Sequence, residues 1–110
     1  MAKINTRYFN EPTGFDAMRC GHNRTVRNNG RKIECRLHGN LVVEYNNPTK
    51  KLRINSCGYR TVTTTAAIGD FLHAIPGITG RSSFAGGRFA VTVNGETKST
   101  DGETITFNID

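Results

Sequence analysis

The chain has 110 residues, 35% of them hydrophobic, and a formal net charge of +6. This length fits one domain and leaves no room for two independent cores. No segment approaches the roughly 20 apolar residues of a membrane span. The 3 cysteines are odd in number and the N-terminus lacks a secretory apolar run, so we expect a soluble cytosolic protein with free thiols and no membrane partner.

Positive charge is concentrated in the first 60 residues. That segment holds 12 lysines and arginines against 4 acidic residues, whereas the last 50 residues hold 3 basic and 5 acidic residues. Such a field attracts phosphates, acidic proteins or anionic surfaces. The alternative is a basic surface that serves solubility alone.

Residues 1–30 show no clear hydrophobic period. We predict a partly irregular basic arm there, with a strand near Phe15 to Cys20 and a turn at Asn28 to Gly30.

Residues 31–63 have the pattern of a β-meander. Apolar and polar residues alternate from Lys32 to Leu37, a turn at Gly39 and Asn40 follows, and the segments LVVEY and KLRIN predict two further strands. Short connections favour antiparallel pairing. The segment YRTVT extends the meander as a possible fourth strand.

Residues 64–75 predict a short helix. An apolar stripe recurs at helical spacing, Thr64 or Thr65 is a suitable N-cap, and Pro76 and Gly77 stop the helix. The stripe consists of Ile68, Phe71, Leu72 and Ile75.

Residues 88–109 predict a second meander. Asn94-Gly95 and Asp101-Gly102 are hairpin signals, and the polar segment ETKST between them must show at least one face to water or lie at an edge guarded by Lys98. The predicted fold class is α+β, with an antiparallel β-sheet of about five to seven strands and one short α-helix packed on one face.

Two groupings of cysteine and histidine have the residue types of a chemical site. Cys20, His22, Cys35 and His38 could supply zinc ligands, but strand alternation separates Cys35 from His38, so we predict no metal site. Cys57 could be a nucleophile with His73 or His38 as base, but no signature of such an enzyme surrounds it. We therefore predict a non-enzymatic protein without catalytic residues or cofactor.

The basic residues are the leading binding candidates. Arginine forks suit bidentate contacts to phosphate, and Tyr8, Phe9 and Phe15 could stack on bases. Solvated surface charge is the alternative. The predicted anion-, nucleic-acid- or partner-binding residues are Arg19, Arg24, Arg27, Arg31, Lys32, Arg36, Arg53 and Arg60.

Two other segments could bind phosphate. The joint NSCGYRTVTTTAA combines a helix N-terminus with hydroxyls, although helix capping explains the same threonines. The glycine-rich segment Gly77 to Phe89 is predicted to be a mobile loop carrying Arg81 and Arg88. The candidate residues of the joint are Gly58, Tyr59, Arg60, Thr63 and Thr64.

About half of the chain resembles a group of small proteins from tailed bacteriophages. The matching motifs are RLH followed by a strand, L-x-L/I-N-S-x-G-Y/W-x-T-V-T-T leading into a short helix, and a later aromatic strand with a D-G turn. The matching positions here are Arg36 to His38, Leu52, Ile54, Asn55, Ser56, Gly58, Tyr59, Thr61 to Thr64 and Asp101-Gly102. After the threonines this chain reads TAAIGDFL, where that group has a basic stretch.

The resemblance implies a phage protein acting in the cytoplasm of a bacterial host, with no assigned activity to carry over. The leading hypothesis is a binder that inhibits a host or defence macromolecule through a basic face, such as a nucleic-acid-containing complex of the CRISPR effector kind. The second hypothesis is direct DNA or RNA binding. The third is a sponge for a small signalling nucleotide, held by the threonine-glycine joint and the loop arginines.

Overall fold

The computed structural model describes Phe9, Glu11 and Thr13, together with residues 18–21, 23–57, 62–75, 77–85 and 88–109. These residues form nine strands and one helix. The elements in chain order are β1 Met18–Gly21, β2 Arg24–Asn28, β3 Lys32–Leu37, β4 Asn40–Asn46, β5 Lys51–Asn55, α1 Val62–Ala74, β6 Gly80–Ala85, β7 Arg88–Val93, β8 Glu96–Thr100 and β9 Thr104–Asn108.

The strands form two antiparallel sheets. The larger sheet has the order β1-β2-β3-β4-β5-β9 and the smaller has the order β6-β7-β8. Helix α1 packs on β6, β4 and β3, so it lies between the sheets on the core side. The predicted α+β class with one short helix is confirmed, and the strands divide into two sheets.

The first two strands order the second half of the predicted N-terminal arm, and β1 overlaps the strand predicted near Phe15 to Cys20, whereas β2 was not predicted. β1 and β2 pair as an antiparallel hairpin, and β2 continues into β3 through residues 29–31. Gly30 has a φ of 89°, and the Asn29 Oδ1 atom accepts bonds from the backbone N–H groups of Arg31 and Lys32. These side-chain bonds close the predicted Asn28–Gly30 turn.

The meander β3-β4-β5 follows the predicted alternation with one shift at its first turn. The turn residues are His38 and Gly39, with φ values of 51° and 84°, and β4 already begins at Asn40. Two consecutive positive φ angles are the geometry of a tight two-residue hairpin turn. The predicted turn at Gly39 and Asn40 was therefore displaced by one residue.

Helix α1 begins two residues before the predicted start. Val62 and Thr63 are helical, which corrects the proposed fourth strand and places Thr64 inside the first turn rather than at the N-cap. Residues 58–61 lie outside the described part. The predicted stripe is buried, and this burial outweighs the weak strand preference of the threonines. All four stripe residues are at most 1% exposed.

The last strand corrects the predicted C-terminal meander. β7 and β8 form the expected Asn94-Gly95 hairpin, but β9 leaves that sheet and pairs with β5. Asp101 and Gly102 therefore lie in a crossover and do not close a hairpin. The reason is burial, because Ile105 and Phe107 align with Ile54 and Leu52 on the core side of the larger sheet.

One core joins the helix and every strand except β8. The ring centroids of Phe9 and Phe71 are 6.2 Å apart, and the core extends through both sheets. β8 is an edge strand, as predicted, and Lys98 ties it to β9 by donating to the Thr106 carbonyl at 2.8 Å. Among the described residues, no helix is both long and apolar enough to cross a membrane.

The segment predicted as a mobile loop contains β6, so that prediction was wrong for Gly80–Ala85. Arg81 lies within β6 and Arg88 opens β7, where the two strands pair along their length. Gly80 permits the close approach of this strand to the helix. A Cβ atom there would lie 2.8 Å from Leu72 Cδ1 and 2.9 Å from the Thr92 carbonyl oxygen.

Two glycine-to-alanine variants should therefore change the free energy of unfolding in opposite directions. We expect Gly80→Ala to reduce the free energy of unfolding by about 1–3 kcal/mol, because a backbone atom must move. Gly69→Ala, in the middle of α1, meets no described atom closer than 4.0 Å and should raise stability by about 0.5–1 kcal/mol. Urea denaturation measures both, and equal effects would contradict the described packing.

Candidate binding surface on the six-stranded sheet

One face of the larger sheet is turned away from the core, and we call it the outer face. Residues paired across neighbouring strands share a face, so the register identifies its members in three rows. The first row is Arg19, Thr25, Arg36 and Leu41; the second is Arg27, Glu34, Glu44, Arg53 and Thr106; the third is Lys32, Asn46, Lys51 and Asn108.

Positive charge predominates on the outer face. Among its described residues, six side chains are cationic and two are carboxylates. The cations are Arg19, Arg27, Arg36, Arg53, Lys32 and Lys51, and the carboxylates are Glu34 and Glu44.

The carboxylates compensate this charge incompletely. Arg27 and Arg36 share the single carboxylate of Glu34. A guanidinium nitrogen of each arginine lies 4.0 Å from one carboxylate oxygen. Exposed pairs at such distances contribute at most about 1 kcal/mol. Within the described chain, Arg53, Lys32 and Lys51 form no ion pair. The face therefore retains positive charge that can attract an anion.

The two carboxylates lie directly opposite each other in the middle row. Like charges in this position disfavour strand pairing. Arg27 flanks the pair on β2 and Arg53 flanks it on β5, so one cation stands at each side of the two adjacent anions. This arrangement places both carboxylates at the centre of a cationic surface.

The structure brings five of the eight predicted binding residues onto the outer face, namely Arg19, Arg27, Lys32, Arg36 and Arg53. Arg31 is exposed in the adjacent β2–β3 turn, and Arg60 lies outside the described residues. Lys51 belongs to the face but was not among the predicted binding residues. The sequence did indicate an outward position for Lys51, because it alternates with the buried Leu52 in the same strand as Arg53.

Arg24 does not belong to this surface. Its strand partner is Leu37, a core residue, and its Nη1 atom lies 2.6 Å from Asp70 Oδ2 on α1. The Arg24 side chain is only 11% exposed. The guanidinium therefore joins the edge of the sheet to the helix, and the prediction of Arg24 as a binding residue is corrected.

The Asp70→Asn variant tests this assignment. Removing the carboxylate leaves the largely buried Arg24 charge without its ion-pair partner, so we expect the free energy of unfolding to fall by about 1–3 kcal/mol. The value lies below that of a fully buried pair because Asp70 is 34% exposed. Thermal and urea denaturation measure the loss, and an unchanged stability would contradict a structural role.

Of the three aromatic residues proposed for stacking on bases, the structure describes Phe9 alone. Phe9 is 2% exposed and packs against Phe71, so it is not available to a nucleobase. Tyr8 and Phe15 lie outside the described residues. The described members of the outer face include no aromatic side chain, so apart from the aliphatic Leu41 they make contact through charge and hydrogen bonding.

The phosphate site predicted at the joint before α1 is not assembled in the described part of the chain. Thr63 is exposed whereas Thr64 is 3% exposed, so their side chains do not share a free surface. Gly58, Tyr59 and Arg60 lie outside the described residues. Arg81 and Arg88 are both exposed on the smaller sheet, where Arg88 donates to the Ser99 hydroxyl at 3.4 Å.

The cysteines have the environments of packing residues. Burial raises the pKa of Cys20 to about 11 and raises the pKa of Cys35 well above its usual value. Burial, with a smaller effect from Glu103, also raises the pKa of Cys57, whereas an activated thiol needs a lowered pKa. Among the described residues, no cluster of three metal-ligating side chains is present.

Comparison of the chain with family models, curated proteins and solved structures finds no match. The outer face is therefore the feature from which a function can be inferred. Its charge, its largely polar composition and its position on an antiparallel sheet indicate what kind of partner it can bind.

Proposed function

We propose that the protein is a non-enzymatic binder of a nucleic-acid-containing macromolecule and that the outer face is the contact surface. The observation that carries the proposal is the placement of six cations on one sheet face, against two carboxylates, among the described residues. The phosphate backbone is the polyanion that such a surface attracts most strongly.

The composition of the face supports phosphate contact over base stacking. Arg27, Arg36 and Arg53 present planar forks that suit phosphate oxygens, and Lys32 and Lys51 add mobile point charges. Threonine and asparagine side chains between them can donate further hydrogen bonds. Binding of this kind depends strongly on salt and weakly on sequence.

The resemblance to tailed-bacteriophage proteins supplies a biological setting for the proposal. In that setting, occupation of the nucleic acid in a host or defence complex, such as a CRISPR effector, would inhibit the complex. Direct binding of free DNA or RNA is the second form of the same proposal. Both forms require the outer face to contact phosphates.

Fluorescence anisotropy with a labelled single-stranded 20-mer tests the proposal. We expect binding at 50 mM salt and a linear fall of log K with log salt, with a slope of about −3 to −4 for five contacted phosphates. Absence of binding at low salt to single strands, duplex DNA and RNA would overturn it. So would an affinity that does not change with salt.

A further inference from the structure

A local irregularity interrupts the regular pairing of the outer face. Cys35 pairs with Val43 and Arg36 pairs with Leu41, so Val42 is an extra residue in β4. Such bulges bend a strand and redirect neighbouring side chains, and they are frequent beside binding sites. This bulge lies in the middle of the cationic surface.

A depression of about 110 Å³ lies beside the bulge. Four residues with outer-face register line it, in addition to Val42 and Val43. The four residues are Leu41, Glu44, Arg53 and Asn55. The depression therefore opens on the same surface that we propose for nucleic acid.

The side chains that line the depression include an aliphatic, an acidic and a basic group. Leu41 is a partly exposed aliphatic side chain on a face that is otherwise polar. Glu44 and Arg53 are strand partners, yet neither takes part in an ion pair within the described chain. An acceptor, a cation and an apolar contact are thus available together to a ligand.

We propose that this depression is a pocket for an unpaired nucleobase with an exocyclic amino group, cytosine in particular. This inference rests on the proposed function, because the base would belong to a strand held on the outer face. Leu41 contacts the ring, Glu44 accepts a hydrogen bond from the amino group, and Arg53 contacts the neighbouring phosphate.

The carboxylate gives the pocket its selectivity. Cytosine presents the N4 amino donor to Glu44, whereas thymine presents the O4 acceptor at the same position, and two acceptors repel each other. Cytosine is the smallest base that carries this amino group, which suits a depression of modest size. The site would therefore add a base preference to a surface that otherwise reads only phosphates.

Competitive anisotropy with dC and dT oligonucleotides of equal length at pH 7.5 tests the inference. We expect the wild-type protein to bind dC more tightly by about fivefold or more. Glu44→Gln should bring the ratio of the two affinities close to one. Glu96→Gln makes the same charge change at an exposed position of the smaller sheet and should leave the ratio unchanged.

The outcomes separate this inference from the proposed function. Equal affinities for dC and dT in the wild-type protein, with strong salt dependence, would overturn the base pocket and leave phosphate binding in place. A Glu44→Gln variant that binds both strands more tightly with an unchanged ratio would also overturn it. Absence of binding to either oligonucleotide would contradict both proposals.

Discussion

Replacement of both Arg36 and Arg53 with glutamate is expected to weaken oligonucleotide binding by about 1,000-fold at low salt, because two attractions of about 1 kcal/mol each become repulsions of similar size, a total change of about 4 kcal/mol. Both residues belong to the outer face, on β3 and β5. The milder Arg36→Ala/Arg53→Ala variant should reduce the magnitude of the salt slope by about 1.4, which corresponds to two lost phosphate contacts on a single strand.

The matched control replaces both Arg81 and Arg88 with glutamate. This variant changes the net charge by the same amount, but both residues are on the smaller sheet. We expect less than a fivefold loss of affinity, because only the overall field changes. Equal losses in the two double variants would show that net charge, and not the outer face, determines binding.

The Phe71→Ala variant should cause the largest loss of stability among single substitutions in α1, about 3–5 kcal/mol. Phe71 is fully buried and packs against Phe9, so truncation leaves a cavity between the helix and the sheet. A typical domain has a free energy of unfolding of about 5–15 kcal/mol, so this loss is a large part of the total.

His73 provides the control on the same helix, because it is exposed in the last turn. We expect His73→Ala to change the free energy of unfolding by less than about 0.5 kcal/mol. Urea denaturation followed by circular dichroism measures both variants. A Phe71→Ala variant as stable as His73→Ala would contradict the placement of α1 against the core.

Local patterns in the sequence predicted much of the fold. Alternation identified β3, β4 and β5, the apolar stripe identified α1, and Asn94-Gly95 identified the β7–β8 hairpin. Each of these signals spans a few neighbouring residues. Periodicity and turn chemistry act over that range, so the sequence alone is informative there.

The errors arose where distant residues decide the structure. β9 pairs with β5 about 50 residues earlier in the chain, and no local signal distinguishes that partner from β8. β6 carries glycine and serine, which weaken any strand pattern, but pairing with β7 and packing on α1 order it. Non-local burial outweighed turn and loop propensities in both cases.

The same distinction applies to the candidate site, where local patterns predicted some residues and long-range pairing determined the others. The outward positions of Lys32, Arg36 and Arg53 follow from alternation in β3 and β5. Arg24 could not be assigned to the core side, because neither the register of β2 nor its partner Asp70, 46 residues away, is visible in the local pattern. The bulge at Val42 also depends on pairing with β3, so the depression beside it was not predicted.

Amide chemical-shift mapping with a ¹⁵N-labelled protein and an unlabelled dC oligonucleotide tests the central claim most directly. The outer face as the nucleic-acid surface predicts salt-sensitive shift changes concentrated in β2, β3, β4 and β5, with Arg27, Arg36 and Arg53 among the largest. Changes concentrated in β6, β7 and β8, or spread evenly over both sheets, would contradict it.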